Sequence, residues 1–398
     1  MRGIFIIGAL GLLTSISAVA EKNVFLTETP DYTWYRGCFG TATGNLMGFW
    51  DRHGFPDNYT GPTNNGLAPL SSPSSLIGIR SLWATKAGFD GRPTDLPGHD
   101  EDYWVKFEST GADPFTMENR PEHSPDCIGD FIGLNQRKWL DLNGECEGNI
   151  DGFSFVFWDP SGKRRTNFTP MDDNENIIPD IPSGIVNWFA YRGYPGSSFS
   201  QLTDFNSEVE EGNGFTFEDL KAEIDGGYPL LLFLQDFDLP SRNINGAEGV
   251  NPDIHALLAY GYFESDNGLK FVRYRDSWGG GDTKLHLWDN TNWEARMPVR
   301  GVIGFHPKPI ITHWQLDGNS LTLKWQGPLS ELWNQTDNFT EKLHWYIVEK
   351  STTLAADSFT AVSPAINELN FTLPFDPEES AVFQVRSAKP NEIPLQIL

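Results

Sequence analysis

Basic side chains are scarce in this sequence: 29 Lys and Arg stand against 54 Asp and Glu, a formal net charge of −25 over 398 residues. Nucleic acid and anionic membrane surfaces are gripped by clustered Lys and Arg, so neither is an expected partner. Long apolar runs are also rare. The run Ile4 to Leu13 falls well short of the ~20 residues a membrane-crossing helix needs, and no later stretch approaches that length, so no membrane span is expected. Histidine is sparse too. His53, His99, His123, His286, His306, His313 and His344 share no metal-ligand spacing, and neither a metal nor a cofactor is expected. There is no internal repeat and no low-complexity tract.

Cysteine is the scarcest informative residue, with Cys38, Cys127 and Cys146 alone. In an oxidising compartment an odd count leaves one thiol over. The economical pairing joins Cys127 to Cys146 across a short loop and leaves Cys38 reactive. An oxidising compartment fits the start of the chain. Arg2, a short apolar core and Ala18-Val19-Ala20 make a signal peptide over residues 1–20, so the expected address is secreted or extracellular, with the periplasm or a cell surface as variants.

Cys38 lies in Gly37-Cys38-Phe39-Gly40-Thr41-Ala42, at what reads as the first turn of a helix. Phe39, Ala42, Leu46, Met47, Phe49 and Trp50 recur at 3–4-residue spacing, and Gly54 supplies a stop. Backbone N–H groups at a helix N-terminus favour a thiolate, the nucleophilic form of cysteine. A lone cysteine more often packs as a small hydrophobe, so the case for chemistry depends on partners elsewhere.

Two segments supply them. Asp253 to Tyr262 reads as a strand with His255 at its entrance. The turn Glu264 to Gly268 leads to a second strand, Leu269–Arg275, which ends in Asp276-Ser277-Trp278-Gly279. A hairpin about Ser265–Asp266 sets His255 opposite Asp276, and a one-residue slip leaves the carboxylate beside the imidazole. Cys38, His255 and Asp276 then make a nucleophile, base and orienting group.

The remaining chain reads as follows. Asn58 to Pro73 is a surface loop, Ser75 to Ala87 a helix, and Asp90 to Ser124 loop-like. Phe153 to Trp158 is a strand, and Asp172 to Asn176 a solvated turn without a calcium-loop register. Helices follow at Pro182–Tyr191 and after Thr216, an N-cap with Asp219 three residues on. Leu230-Leu231-Leu232-Phe233-Leu234 is apolar throughout and should be a central strand. After a stiff linker at His306-Pro307-Lys308-Pro309, strands at Leu321–Trp325, Leu343–Glu349, Phe359–Val362, Asn370–Leu373 and Ala381–Ser387 fit a β-sandwich.

In these segments the chain resembles the papain-like cysteine peptidases, in particular the C39-like group related to bacteriocin leader peptidases. The resemblance rests on Trp34 to Ala42, Gly48 to Pro56, Asp126 to Gly133, Glu223 to Leu230, His255 to Tyr262 and Asp276 to Gly279, in family order across residues 32–305. It implies an α+β fold, a papain-like domain over residues 21–308 with an antiparallel sheet packed on the nucleophile helix. The tail, residues 309–398, resembles a fibronectin type III module through Trp325, Tyr346 to Glu349 and Phe383 to Arg386. By the resemblance Cys38 is the nucleophile, His255 the base and Asp276 the orienting residue of a monomeric hydrolase acting on peptide or protein substrates. Two departures stand out. Phe39-Gly40-Thr41 replaces the usual Pro-Thr after the cysteine, and no glutamine lies between Glu21 and Cys38 to serve as an oxyanion donor. Two other readings use the same residues: a binding or adhesion protein on an inactive peptidase scaffold, and a transglutaminase-like acyl transferase.

Overall fold

The computed structural model describes residues 21–33, 38–59, 66–71, 128–133, 146–148, 155–207, 209–235, 254–278, 283–289, 298–353 and 355–394. The proposed signal peptide, the expected helix at 75–87 and Cys127 lie outside them, as does the side chain of Cys146. Among the described residues the chain forms β1 (Lys22–Leu26), α1 (Cys38–Arg52), α2 (Ile128–Phe131), β2 (Cys146–Gly148), β3 (Phe155–Phe157) and β4 (Arg165–Thr166). Then come α3 (Ile181–Tyr191), β5 (Gly196–Leu202), α4 (Phe217–Asp225), β6 (Leu230–Gln235), β7 (Ile254–Glu264), β8 (Lys270–Arg275), β9 (Lys284–Leu287) and β10 (Val299–Pro307). The last part is all strand: β11 (Ile310–Asp317), β12 (Ser320–Gln326), β13 (Glu331–Asn334), β14 (Phe339–Lys342), β15 (Tyr346–Ser351), β16 (Thr360–Ala361), β17 (Asn370–Pro374) and β18 (Val382–Ser387). The fold is α+β, with antiparallel sheets.

β6 sits in the middle, between β7 and β10, with Leu230 to Phe233 fully buried. A strand covered on both faces has no use for alternation, which is why this one is apolar throughout. β7 is long enough to pair along one edge with β6 and then β1, and along the other with β8. β10 links β6 to β5. The helices cap as their sequences direct. Thr216 and Asp219 close a reciprocal capping box on α4, and Asp180 caps α3 through the Ser183 N–H at 2.9 Å.

α1 differs from the amphipathic helix that its spacing suggests. Every residue from Cys38 to Asp51 is buried, as befits a helix enclosed on all sides. One face packs on β6 and β7. The other faces meet Tyr32, whose amide donates to Asn45 Oδ1 at 2.8 Å, and the 66–71 segment, where the Ala68 amide donates to Asp51 Oδ1 at 2.8 Å.

The C-terminal part departs from a self-contained module. β11-β12-β17 and β16-β15-β18 are two three-stranded sheets enclosing Leu321, Leu323, Trp325, Tyr346, Val348 and Leu373. The β13–β14 hairpin, however, leaves them and joins the large sheet, with Val24↔Asn334, Phe25↔Trp333 and Leu26↔Leu332 in register. The expected division at residue 308 is therefore corrected. His306 and Pro307 complete β10, only Lys308 and Pro309 connect it to β11, and residues 331–342 belong to the first sheet. The physical cause is the bare edge of β1, which β13 satisfies. Ending the chain near Lys308 strips that edge. We expect the truncated protein to lose at least 10 °C in Tm or to aggregate, checked by calorimetry and light scattering; a soluble fragment with unchanged Tm would show the hairpin to be dispensable.

Two buried histidines mark the seam between the parts. His53, just beyond α1, gives its carbonyl to the Leu329 N–H at 3.1 Å, and its Nδ1 lies 2.7 Å from Phe49 O. His344 Nε2 lies 2.6 Å from Ser330 Oγ, which donates to Gly227 O at 2.8 Å. Both rings border a 340 Å³ cleft with Arg52 and Glu331. Burial lowers His53 to about 4 and His344 to about 3, the latter helped by the neighbouring His53 and His306. Folded-state values below the unfolded 6.5 mean that the unfolded chain binds more protons, so this stability is full above pH 6.5 and drains away towards pH 3–4. Each ring should cost on the order of 2–3 kcal/mol by pH 4. Asp51 and Asp180, raised by burial to about 6 and about 7, gain protons over the same range and offset most of that loss. Urea melts across pH 4–7 should show His344→Gln gaining stability relative to wild type as the pH falls; a constant difference would mean that the ring's burial does not penalise its charged form.

Candidate active site

Two aromatic contacts fix which end of α1 meets which end of β6. Phe39 stacks on Phe233 with centroids 5.1 Å apart, and Trp50 meets Tyr228 at 6.0 Å. Eleven helical residues rise about 17 Å, and five strand residues span about the same. α1 therefore runs antiparallel to β6 and parallel to β7. Leu234 of β6 pairs with His255 of β7. The start of α1, with Cys38 as its first residue, is thus brought to the level of His255. Cys38 is a thiol, 1 % exposed, and no acidic residue sits in the first turn to oppose a thiolate.

The third expected member arrives in a different way. The β7–β8 turn spans Ser265 to Leu269, with the Ser265 and Leu269 backbones bonded and Gly268 at φ +82°, so Glu264 faces Lys270. A bulge between Ala259 and Gly261 then shifts the ladder back by one residue, so that Leu258 faces Arg275. The tight turn about Ser265–Asp266 is corrected accordingly: extended to the strand ends, this register sets Trp278, not Asp276, opposite His255. Trp278 is 63 % exposed and lies nearly parallel to the imidazole, centroids 6.2 Å apart and planes 17° apart.

His255 meets Asp276 through the main chain. Its Nε2 lies 3.1 Å from the Asp276 carbonyl oxygen. The Asp276 carboxylate takes Lys284 Nζ at 2.7 and 2.6 Å on its two oxygens, and the Trp278 N–H at 3.0 Å. Between these residues Ser277 holds φ +71°, a left-handed conformation that costs a non-glycine residue about 1–3 kcal/mol. Its side chain is fully buried, and its hydroxyl has no hydrogen-bond partner among the described residues.

The segment leading into Cys38 is stitched to the same place. Thr33 bridges Trp278, Arg275 Nη2 donates to Thr29 O at 3.2 Å, and Arg275 lies 3.9 Å from the buried carboxylate of Asp31. Cys38, His255 and Asp276 thus converge at one end of β6–β7.

No family model, curated protein or solved structure matches the chain.

Lys284, Ser277, Trp278 and Arg275 are the site residues that sequence reasoning left unassigned. Lys284 had a signal: the glycine run Gly279-Gly280-Gly281 in the sequence favours a turn after β8, and β9 pairs back so that Lys284 faces Tyr274, diagonal to Asp276 on one face. Residues 34–37, where an oxyanion donor before the cysteine would sit, lie outside the described residues. Asp172 accepts from the Asn174 and Asn176 amides at 2.8 Å each, which spends its lone pairs on its own turn.

Glycine at 277 would relieve both the left-handed strain and the orphaned hydroxyl. Ser277→Gly should raise Tm by about 2–4 °C for each kcal/mol relieved. A lower Tm would mean that the hydroxyl is held by a partner worth more than the strain.

Proposed function

We propose that the chain is an exported, papain-like cysteine hydrolase that cleaves peptide or amide bonds through a thioester on Cys38. The observation that carries this is the convergence of the α1 N-terminus, His255 and the Asp276–Trp278 turn at one end of the central strands. An imidazole that donates Nε2–H to a carbonyl keeps Nδ1 for the thiol. Burial of Cys38 opposes ionisation, while the helix N-terminus and a charged imidazole favour it, so His255 decides whether the thiolate exists.

The chemistry follows from those roles. The thiolate attacks the scissile carbonyl, and the tetrahedral oxyanion receives the Cys38 backbone N–H. His255 passes its proton to the departing amine and the thioester forms. His255 then takes a proton from water, which attacks the thioester, and the collapse of the second tetrahedral state returns the thiolate and releases the acid. A second oxyanion donor is not assigned among the described residues; an enzyme working with the Cys38 N–H alone would be slow, since one missing donor costs about 10²–10³ in rate.

The test is the rate of iodoacetamide labelling of Cys38 at pH 6, followed by a peptide-library digest. Wild type should label at least about 10²-fold faster than His255→Ala, and Cys38→Ala should neither label at that site nor cleave. Equal rates for wild type and His255→Ala would overturn the reading. The near-complete burial of Cys38 favours a second one, a binding protein on an inactive scaffold. That reading gains if labelling depends on His255 yet no peptide in the library is cut.

A further inference from the structure

We propose that Lys284 is a positioning residue of this site: by holding the Asp276 carboxylate it fixes the turn whose main-chain carbonyl, rather than whose carboxylate, orients His255. The inference rests on the cysteine-hydrolase reading above and names a device that reading does not contain.

Three observations carry it. Both carboxylate oxygens of Asp276 are occupied, one by Lys284 Nζ at 2.6 Å and the other by Lys284 Nζ at 2.7 Å together with the Trp278 N–H at 3.0 Å. The acceptor that His255 Nε2 reaches, at 3.1 Å, is the Asp276 carbonyl. Between them the Ser277 backbone stays left-handed at φ +71°, a conformation that persists only where its surroundings hold it. The Asp276 side chain is 14 % exposed and that of Lys284 30 %, so the pair is shielded enough to act as a strut. A carbonyl is an acceptor at every pH and carries no net charge. It holds the imidazole in the tautomer with Nε2–H without adding a negative charge to stabilise the imidazolium. The ammonium of Lys284 offsets the nearby carboxylate, so the ring sits beside a neutral pair.

This account makes the two charges separable. Lys284→Met leaves an uncompensated carboxylate next to the ring, so the imidazolium should keep its proton to higher pH. Asp276→Asn leaves an uncompensated ammonium, so the proton should leave at lower pH. The double variant has neither charge and should return the pH limb to the wild-type position. Every variant that breaks the strut should also lose rate, because a ring displaced by about 1 Å costs up to 10²-fold. Lys284→Arg keeps the ion pair and should retain most activity.

The experiment is the pH dependence of iodoacetamide labelling at Cys38 in the full chain, for wild type, Lys284→Met, Lys284→Arg, Asp276→Asn and Lys284→Met/Asp276→Asn, with His255→Ala as baseline and circular dichroism to confirm folding. The expected result is a loss of about tenfold or more in Lys284→Met and Asp276→Asn, alkaline limbs displaced in opposite directions, a double variant no slower than either single one, and rescue by Lys284→Arg. Lys284→Met at wild-type rate or faster would overturn the proposal, because it would mean that the carboxylate is the working orienter and Lys284 restrains it. Equal limbs in the two single variants would overturn it as well. If wild type labels no faster than His255→Ala, the hydrolase reading itself fails and this inference with it. That outcome is distinct from a His255-dependent wild type whose Lys284 variants are unchanged, which sinks the positioning role alone.

Discussion

The alignment of α1 along β6 is the relation on which the other features depend. A fully buried helix can be set against a strand in either direction, and the two directions would place Cys38 at opposite ends of the sheet. Phe39 on Phe233 and Trp50 on Tyr228 choose one of them, and their matched span of about 17 Å keeps the helix axis close to the strand direction. Once that choice is made, the β6–β7 register brings His255 level with the helix start. Nothing in residues 38–52 alone encodes this; it follows from two aromatic contacts that a local reading cannot see.

The site then balances opposing electrostatic demands. Desolvation penalises a thiolate, and the helix dipole offsets only part of that penalty, on the order of 1 kcal/mol in an ordinary setting. If Cys38 is the proposed nucleophile, the rest must come from the imidazolium. A bare carboxylate against the ring would stabilise that cation most strongly and would also leave the ring a weaker acid towards the leaving amine. On the proposed reading, a carbonyl backed by a Lys–Asp pair fixes orientation with less electrostatic commitment, so an acid closer to neutral could both hold a thiolate and give up its proton.

How much of this was legible in the sequence depended on whether the signal was local. The capping box of Thr216 and Asp219 and the uniformly apolar Leu230–Leu234 were readable, because caps and two-sided burial leave their marks on neighbouring residues. β10 was not, although it is a central strand. Its glycines hide it, and they are there because Trp158 packs where a Cβ of Gly301 would be, at 2.6 Å, and Phe199 where that of Gly304 would be. Cys38, His255 and Asp276 could be proposed as a site from residue type and order alone. How Asp276 serves His255 could not, because the β7–β8 register turned on one bulge and on a longer turn than the tightest one available. The β13–β14 hairpin is polar and short, and its place beside β1 is a pairing more than three hundred residues distant in sequence.

That hairpin explains why the C-terminal strands are joined to the first sheet rather than tethered beside it. Gly54 ends α1 at φ +103°, and a Cβ there would collide with the Gly327 carbonyl, so the close approach of the helix terminus and the C-terminal chain requires glycine at that position. His53 then takes the Leu329 amide, and Ser330 and His344 close over Gly227, just before β6. The seam therefore grips the C-terminal end of α1 and the entrance to β6, the far ends of the two elements whose near ends present Cys38 and face His255. A helix buried along its whole length transmits a displacement at one end to the other, because close-packed interiors deform little. The C-terminal strands contribute none of the three candidate residues, yet they help set where Cys38 stands.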